Sequence, residues 1–302
     1  MHSRIMSRVI LAASIVSLLA GAAPISPPSM KDILSGSPKS DWRAIDPANT
    51  LVMELPAGRV VIELAPAFAP NSIANIETLV RKHYFDGSDI VRVQDNYVVQ
   101  WSSTDDPPLP PHQLGAKDTI APEFDRPLDR NLPFTKLPDR DTYAPEVGFT
   151  DGFAVARDPA HKREWLTHCY GMVGVGRDND ADSGSGAELY AVIGQSPRNL
   201  DRNVTLVGRV VQGMELLSVM PRGTGDLGFY EKPEQRIPIK TIHMGNDMPA
   251  AERPSLEALR TDSASFTRLI RERRNRKDVW YKNSPGHIGV CNMPLPVRAI
   301  AP

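Results

Sequence analysis

The sequence predicts a mainly β fold: a closed eight-stranded antiparallel β-barrel capped by two helices, followed by a helical C-terminal extension. Three observations carry this. Apolar residues recur in short segments of strand length, bounded by Gly, Pro, Asn or Asp. Only two intervals among those segments show helical spacing. Many short antiparallel strands leave exposed edges unless the sheet closes, and a barrel removes them.

Residues 1–22 have the pattern of a secretory signal peptide. Arg4 and Arg8 flank the start of an almost unbroken apolar run over residues 9–19, and Ala20-Gly21-Ala22 supplies small residues where a signal peptidase reads. That run is shorter than the ~20 residues a spanning helix needs. The chain is therefore expected to be secreted, with no stable membrane insertion after cleavage. Residues 23–50, rich in Pro and Ser, are expected to form a linker or loosely attached arm.

Leu51-Val52-Met53-Glu54-Leu55, a Pro56-Ala57-Gly58 turn and Arg59-Val60-Val61-Ile62-Glu63-Leu64 predict a hairpin. Ile73, Ile76, Leu79, Val80 and Tyr84 then lie at helical intervals up to Asp86-Gly87. Residues 90–93 and 97–101 flank a polar Gln94-Asp95-Asn96 turn and predict a second strand pair. Residues 107–145 hold nine prolines and little periodicity, which predicts a long surface excursion. Beyond it, residues 171–176, 188–193, 205–210 and 236–244 have strand character, and residues 211–220 have that of a short helix. After Pro254, the spacing of Leu256, Leu259, Phe266, Leu269 and Ile270 predicts helical packing on the barrel, with Arg271 to Lys277 as its solvated end. The expected division is one domain over 51–247, interrupted by an insertion at about 128–167, and an extension over 248–302.

A formal net charge of −1 gives no whole-chain field for nucleic acid. Cys169 and Cys291 are the only cysteines; they form either one disulfide tying the tail to the core or two buried thiols. Neither has the His and Cys neighbours of a zinc site, and His112, His161, His168 and His243 show no ligand spacing, so no metal is implied. Asp178-Asn179-Asp180-Ala181-Asp182-Ser183-Gly184 starts like a calcium loop, but Ser183 stands where glycine is required and Leu189 where the closing Glu belongs. Trp165, Trp280 and Tyr281 are expected to anchor the insertion and the tail, and Trp101 to narrow one end of a groove.

The chemistry-bearing residues are Arg92, Tyr97 and Gln100. Arg92 and Gln100 lie an even number of residues apart, so paired strands with a period of two can bring them to one face. A cation, an aromatic ring and a neutral amide suit the binding of an uncharged polar chain. They do not suit nucleophilic attack, because no Ser/His or Cys/His pair accompanies them.

Five segments stand out: Ala57-Gly58-Arg59-Val60-Val61-Ile62-Glu63-Leu64, Ala69-Pro70-Asn71-Ser72-Ile73-Ala74-Asn75-Ile76, Ala121-Pro122-Glu123-Phe124, Gly171-Met172-Val173-Gly174-Val175-Gly176-Arg177, and Asn203-Val204-Thr205-Leu206-Val207-Gly208-Arg209-Val210-Val211-Gln212-Gly213-Met214. They resemble the cyclophilin family of peptidyl-prolyl cis/trans isomerases, specifically its secreted bacterial members, which implies passage across the inner membrane into the periplasm. Position by position, the resemblance keeps the family's arginine as Arg92 and its glutamine as Gln100. Tyr97 takes the place of the phenylalanine lining the proline pocket. Glu188-Leu189-Tyr190 stands for Gln-Phe-Phe, so Tyr190 is the second pocket aromatic. Asn199-Leu200 stands for Trp-Leu, and the two family histidines have become Val91 and Val204.

The resemblance implies an isomerase acting on X-Pro bonds of exported, unfolded or extended chains. Rotation about that bond is slow because amide resonance opposes it. Catalysis needs a held proline ring and a donor that stabilises the twisted amide, and no cofactor. Arg92 would direct an N–H at the prolyl nitrogen, and Gln100 would orient Arg92 or bind substrate backbone. Tyr97, Tyr190 and Leu200 would hold the ring, with Val99 and Val204 as walls and Glu188 beside them. A monomer with proline-containing polypeptide substrates is expected. The alternative is a catalytically weak peptide-binding module or periplasmic chaperone on the same barrel.

Overall fold

The computed structural model describes residues 28–278 and 280–300, so the expected signal peptide lies outside the described residues. The first element is helix α1 (Met30–Ser35), opened by a capping box in which Ser29 and Asp32 exchange side-chain and backbone hydrogen bonds. Strand β1 (Trp42–Ala44) follows. The expected hairpin is β2 (Thr50–Leu55) and β3 (Gly58–Leu64), and the expected helix is α2 (Pro70–Arg81). Proline at the first turn of α2 costs no hydrogen bond there. Ile73, Ile76, Leu79 and Val80 of α2 are all buried. The free N–H groups of Asn71 and Ser72 are capped by the two carboxylate oxygens of Glu123, at 3.0 and 2.8 Å. This is the structural use of the Ala121-Pro122-Glu123-Phe124 segment.

Strands β4 (Asp89–Val93) and β5 (Val98–Ser102) form the second pair. The next stretch holds β6 (Arg126–Pro127), β7 (Thr135–Lys136), β8 (Glu146–Thr150), β9 (Phe153–Asp158) and β10 (Arg163–Leu166). Then come β11 (Met172–Val175), β12 (Glu188–Val192), β13 (Leu206–Gln212), α3 (Met214–Ser218), β14 (Ile237–Pro238) and β15 (Thr241–Met244). The chain ends with β16 (Leu256–Leu259), α4 (Ala264–Arg274) and β17 (Val297–Ala299).

The main sheet has nine antiparallel strands in the order β14-β4-β5-β12-β11-β13-β3-β2-β15. It is a curled half-barrel, not the closed eight-stranded barrel expected from the sequence. The reason lies in the chain joining its two end strands. Pro238 offers no N–H to extend the β14 ladder. Ile239 then donates to the Ser88 carbonyl at 2.7 Å and Lys240 to the Glu54 carbonyl at 2.9 Å, so a two-residue step touches both edges without pairing them. Leu51, Met53, Ile62, Ile90, Val99, Trp101, Val173 and Leu189 fill the concave face and pack with α2.

Three further expectations are corrected. The proline-rich excursion is not all surface: its later part and the residues after it build a second, five-stranded sheet in the order β6-β10-β9-β8-β7. The extension is not only helical, since β16 and β17 flank α4 in sequence and pair with each other. The arm is not loose, because β1 pairs with β16 in that same three-stranded sheet. The signal for these elements is weak because the strands are two to six residues long.

Of the two readings of the cysteines, the disulfide is formed: Cys169 and Cys291 are bonded with Cα atoms 4.9 Å apart. Trp165 is buried in the second core, but Trp280 is 77% exposed, with its ring against that of Tyr281. No described helix is long and apolar enough to cross a membrane.

Candidate functional site

Cross-strand register sets the site. Arg92 pairs with Gln100, Gln100 with Tyr190, and Tyr190 with Gly174, so one row of directly opposed residues crosses β4, β5, β12 and β11. Directly opposed residues of an antiparallel pair point to the same face. Here it is the convex face, away from the main core. Gly174 is required next to Tyr190, because a Cβ there would collide with the tyrosine ring and hydroxyl. The register between β4 and β5 shifts between Ile90 and Arg92, a bulge that re-aims Arg92 and leaves the Val91 carbonyl to accept from Tyr230 N–H at 3.0 Å.

Three groups hold the half-buried guanidinium. Nη1 donates to Gln100 Oε1 at 2.9 Å, Nη2 to Gln94 Oε1, and Nε to the Leu227 carbonyl at 2.7 Å. The rings of Tyr97 and Phe229 lie 5.6 and 5.2 Å from its central carbon. Burial pulls the guanidinium pKa down from its ordinary value, opposed by Tyr97 and Glu188.

A groove of about 260 Å³ opens beside Arg92, and Tyr97, Gln100, Tyr190, Leu200, Val204 and Glu188 all line it. Val99 does not. It is wholly buried on the concave face, and the wall is Val98, which shares a face with Gln100 by strand alternation. Trp101 is likewise in the core, not at the groove end. Val175, Gly176 and Arg177 complete the wall; no pattern in the residues marked them as site residues. Burial pushes the Glu188 carboxyl above its ordinary value, Asp178 adds to the shift, and Arg92 opposes it.

Behind the groove, Tyr190 turns its hydroxyl inward. His168 Nε2 lies 2.9 Å from that hydroxyl and its Nδ1 lies 3.0 Å from Asp201 Oδ1. Arg198 joins Asp201 to Asp141 of the inserted region, at 2.9 and 2.8 Å. His168 is thus a buried histidine with both ring nitrogens satisfied. Its link to Tyr190 crosses 22 positions of sequence, which no local motif carries. Among the described residues, no three His, Cys, Asp or Glu side chains are grouped to hold a metal.

Comparison with known proteins places this groove in context. Residues 50–244 match the family described as cyclophilin type peptidyl-prolyl cis-trans isomerase/CLD. Proteins named probable peptidyl-prolyl cis-trans isomerase from Brucella suis and Brucella abortus are each 26% identical over 196 residues, covering 64% of this chain and 83% of theirs. The crystal structure of the cyclophilin AquaCyp293 from Hirschia baltica superposes with a TM-score of 0.67 at 24% identity, covering 91% of this chain and 99% of that one. Its likeness in fold extends beyond the residues matched by the family.

Proposed function

We propose that this chain, which belongs to the family of cyclophilin-type peptidyl-prolyl cis-trans isomerases, turns X-Pro bonds of exported, unfolded or extended polypeptides in the groove beside Arg92. The observation that carries the reading is the state of the Arg92 guanidinium. It has five N–H donors. Three of them are engaged within the protein, leaving one on each Nη for substrate.

With Nε fixed by the Leu227 carbonyl and the two Nη atoms by Gln100 and Gln94, the remaining donors are aimed before substrate arrives. One binds the carbonyl preceding the proline. The other meets the prolyl nitrogen as it becomes pyramidal and its lone pair leaves amide resonance. That bond is stronger in the twisted state than in the planar one, which is the condition for rate enhancement. Tyr97, Val98, Tyr190, Leu200 and Val204 hold the ring while the carbonyl side swings. No proton is transferred, so valines at positions 91 and 204 make the pocket drier without removing the electrophile.

Export is supported by the signal-like N-terminal sequence and by the disulfide, which belongs to an oxidising compartment. Arg92→Ala tests the site. Exchange of a short Ala-Pro peptide, followed by NMR, should slow by about 100-fold in kcat/KM, the usual loss when one aimed transition-state donor is removed. Equal rates for both proteins would sink the assignment. Equal background rates with peptide binding retained would make the chain a peptide-binding module instead.

A further inference from the structure

The row across the sheet does not stop at Arg92. On its other side Phe229 forms a bridge with Arg92, so the order is Phe229, Arg92, Gln100, Tyr190. Phe229 and its neighbour Leu227 are large, apolar and exposed, by 40% and 66%. They sit on the flank opposite the proline groove.

The segment that carries them is built, not slack. Gly223 donates to the Val93 carbonyl and Tyr230 to the Val91 carbonyl, both at 3.0 Å, which fastens it to β4 at two points. Gly225 donates to the Phe229 carbonyl and Gly228 to the Gly225 carbonyl, again at 3.0 Å, closing a tight turn. Gly228 lies so close to the Gln94 backbone that a Cβ would collide with it. Within this turn Leu227 takes φ 56° and ψ 16°, a left-handed conformation that a leucine rarely adopts. A strained backbone and an exposed leucine are two unfavourable features at one residue, and they persist where the structure gains something from them.

One gain is visible: the conformation aims the Leu227 carbonyl at Arg92 Nε. That needs only the backbone, and glycine would supply it without strain. We propose that the Leu227 side chain and the Phe229 ring form a second subsite, an apolar ledge that takes an apolar side chain of the same polypeptide whose proline lies in the groove. The proposal rests on the groove beside Arg92 being the peptide site. Continuity along one row identifies the occupant, since a chain leaving the groove across Arg92 reaches the ledge. Neighbouring strands are about 4.8 Å apart, so Phe229 is about 15 Å from Tyr190, and an extended chain advances about 3.3 Å per residue. The ledge therefore reads a leucine- or phenylalanine-sized residue about four or five positions from the proline.

The test uses alanine-based peptides with one central proline and one leucine, placed two to five positions away on either side, and an all-alanine control. Dissociation constants by NMR titration should favour one placement by about fivefold, the scale of a partly buried aliphatic side chain. Leu227→Gly keeps the left-handed backbone and the carbonyl on Arg92, and Phe229→Ala is the second variant. Loss of the advantage in either supports the ledge. Survival of the advantage in both overturns it, as does equal binding of every peptide to the unaltered protein. Turnover with equal binding of all peptides defeats the ledge alone, whereas leucine-selective binding without turnover defeats the isomerase reading alone.

Discussion

The concave core of the nine-stranded sheet and the core of the five-stranded sheet are held by different forces, the buried Glu63–Arg209 pair of the first sheet lying on its opposite face. The first sheet curls over apolar side chains that alternate along its strands and meet the apolar stripe of α2. The second has Phe149, Val155 and Trp165 in its core, but Glu164, at 0% exposure, is also there. Its two oxygens are taken by Arg126 and Arg157, at 2.8 and 2.9 Å, and those guanidiniums lie 3.8 Å over the rings of Phe68 and Phe134. Hydrophobic burial needs only a pattern, whereas a buried carboxylate needs named partners. The chemistry of the groove belongs to the patterned sheet, and the inserted region reaches it through Asp141, Arg198, Asp201 and His168 and through the apolar cluster that Val98 and Tyr190 share with Trp165.

If that contrast is right, the largest loss of stability comes from the covalent tie beside the second sheet. The disulfide spans 122 residues. Its removal in a Cys169→Ala, Cys291→Ala protein should lower unfolding free energy by about 5 kcal/mol on the chain-entropy model. Urea unfolding measures it, and a change below about 1 kcal/mol would mean that non-covalent contacts alone hold the tail. The next effect is that of Glu164→Gln. It leaves buried Arg157 and half-buried Arg126 short of a countercharge, which should cost about 4 kcal/mol. A near-neutral result would erase the distinction between the two sheets.

The same contrast explains what could be read from the residues. The hairpin of β2 and β3, helix α2 and the pair β4 and β5 were legible because their apolar residues follow a period of 2 or 3.6. Arg92, Gln100, Tyr97, Tyr190, Leu200, Val204 and Glu188 were legible by resemblance, and the structure brings all seven to one groove. Val99 was misassigned by one position, and one position in a strand reverses the face. The strands of the insertion were hidden because β6 and β7 are two residues long and because Glu164 and Arg157 occupy core positions that a hydrophobic pattern counts as surface. Leu227 and Phe229 escaped because their meaning depends on Arg92, 135 residues away in the case of Leu227.

The smallest expected effect lies in the groove and asks whether it, too, carries an electrostatic burden. Burial raises the Glu188 carboxyl above its ordinary 4.5, with Asp178 acting in the same direction and Arg92 against it. The folded chain therefore holds this proton more tightly than the unfolded chain does. The advantage of the folded state is complete below the unfolded value, and it is lost as pH rises from there through the raised folded value. On this account Glu188→Gln should flatten the fall in the urea midpoint as pH rises above 4.5, and should leave it unchanged below that point. An identical slope in the two proteins would show that Arg92 fully offsets the burial of the carboxylate. The groove would then be electrostatically as quiet as the apolar core behind it.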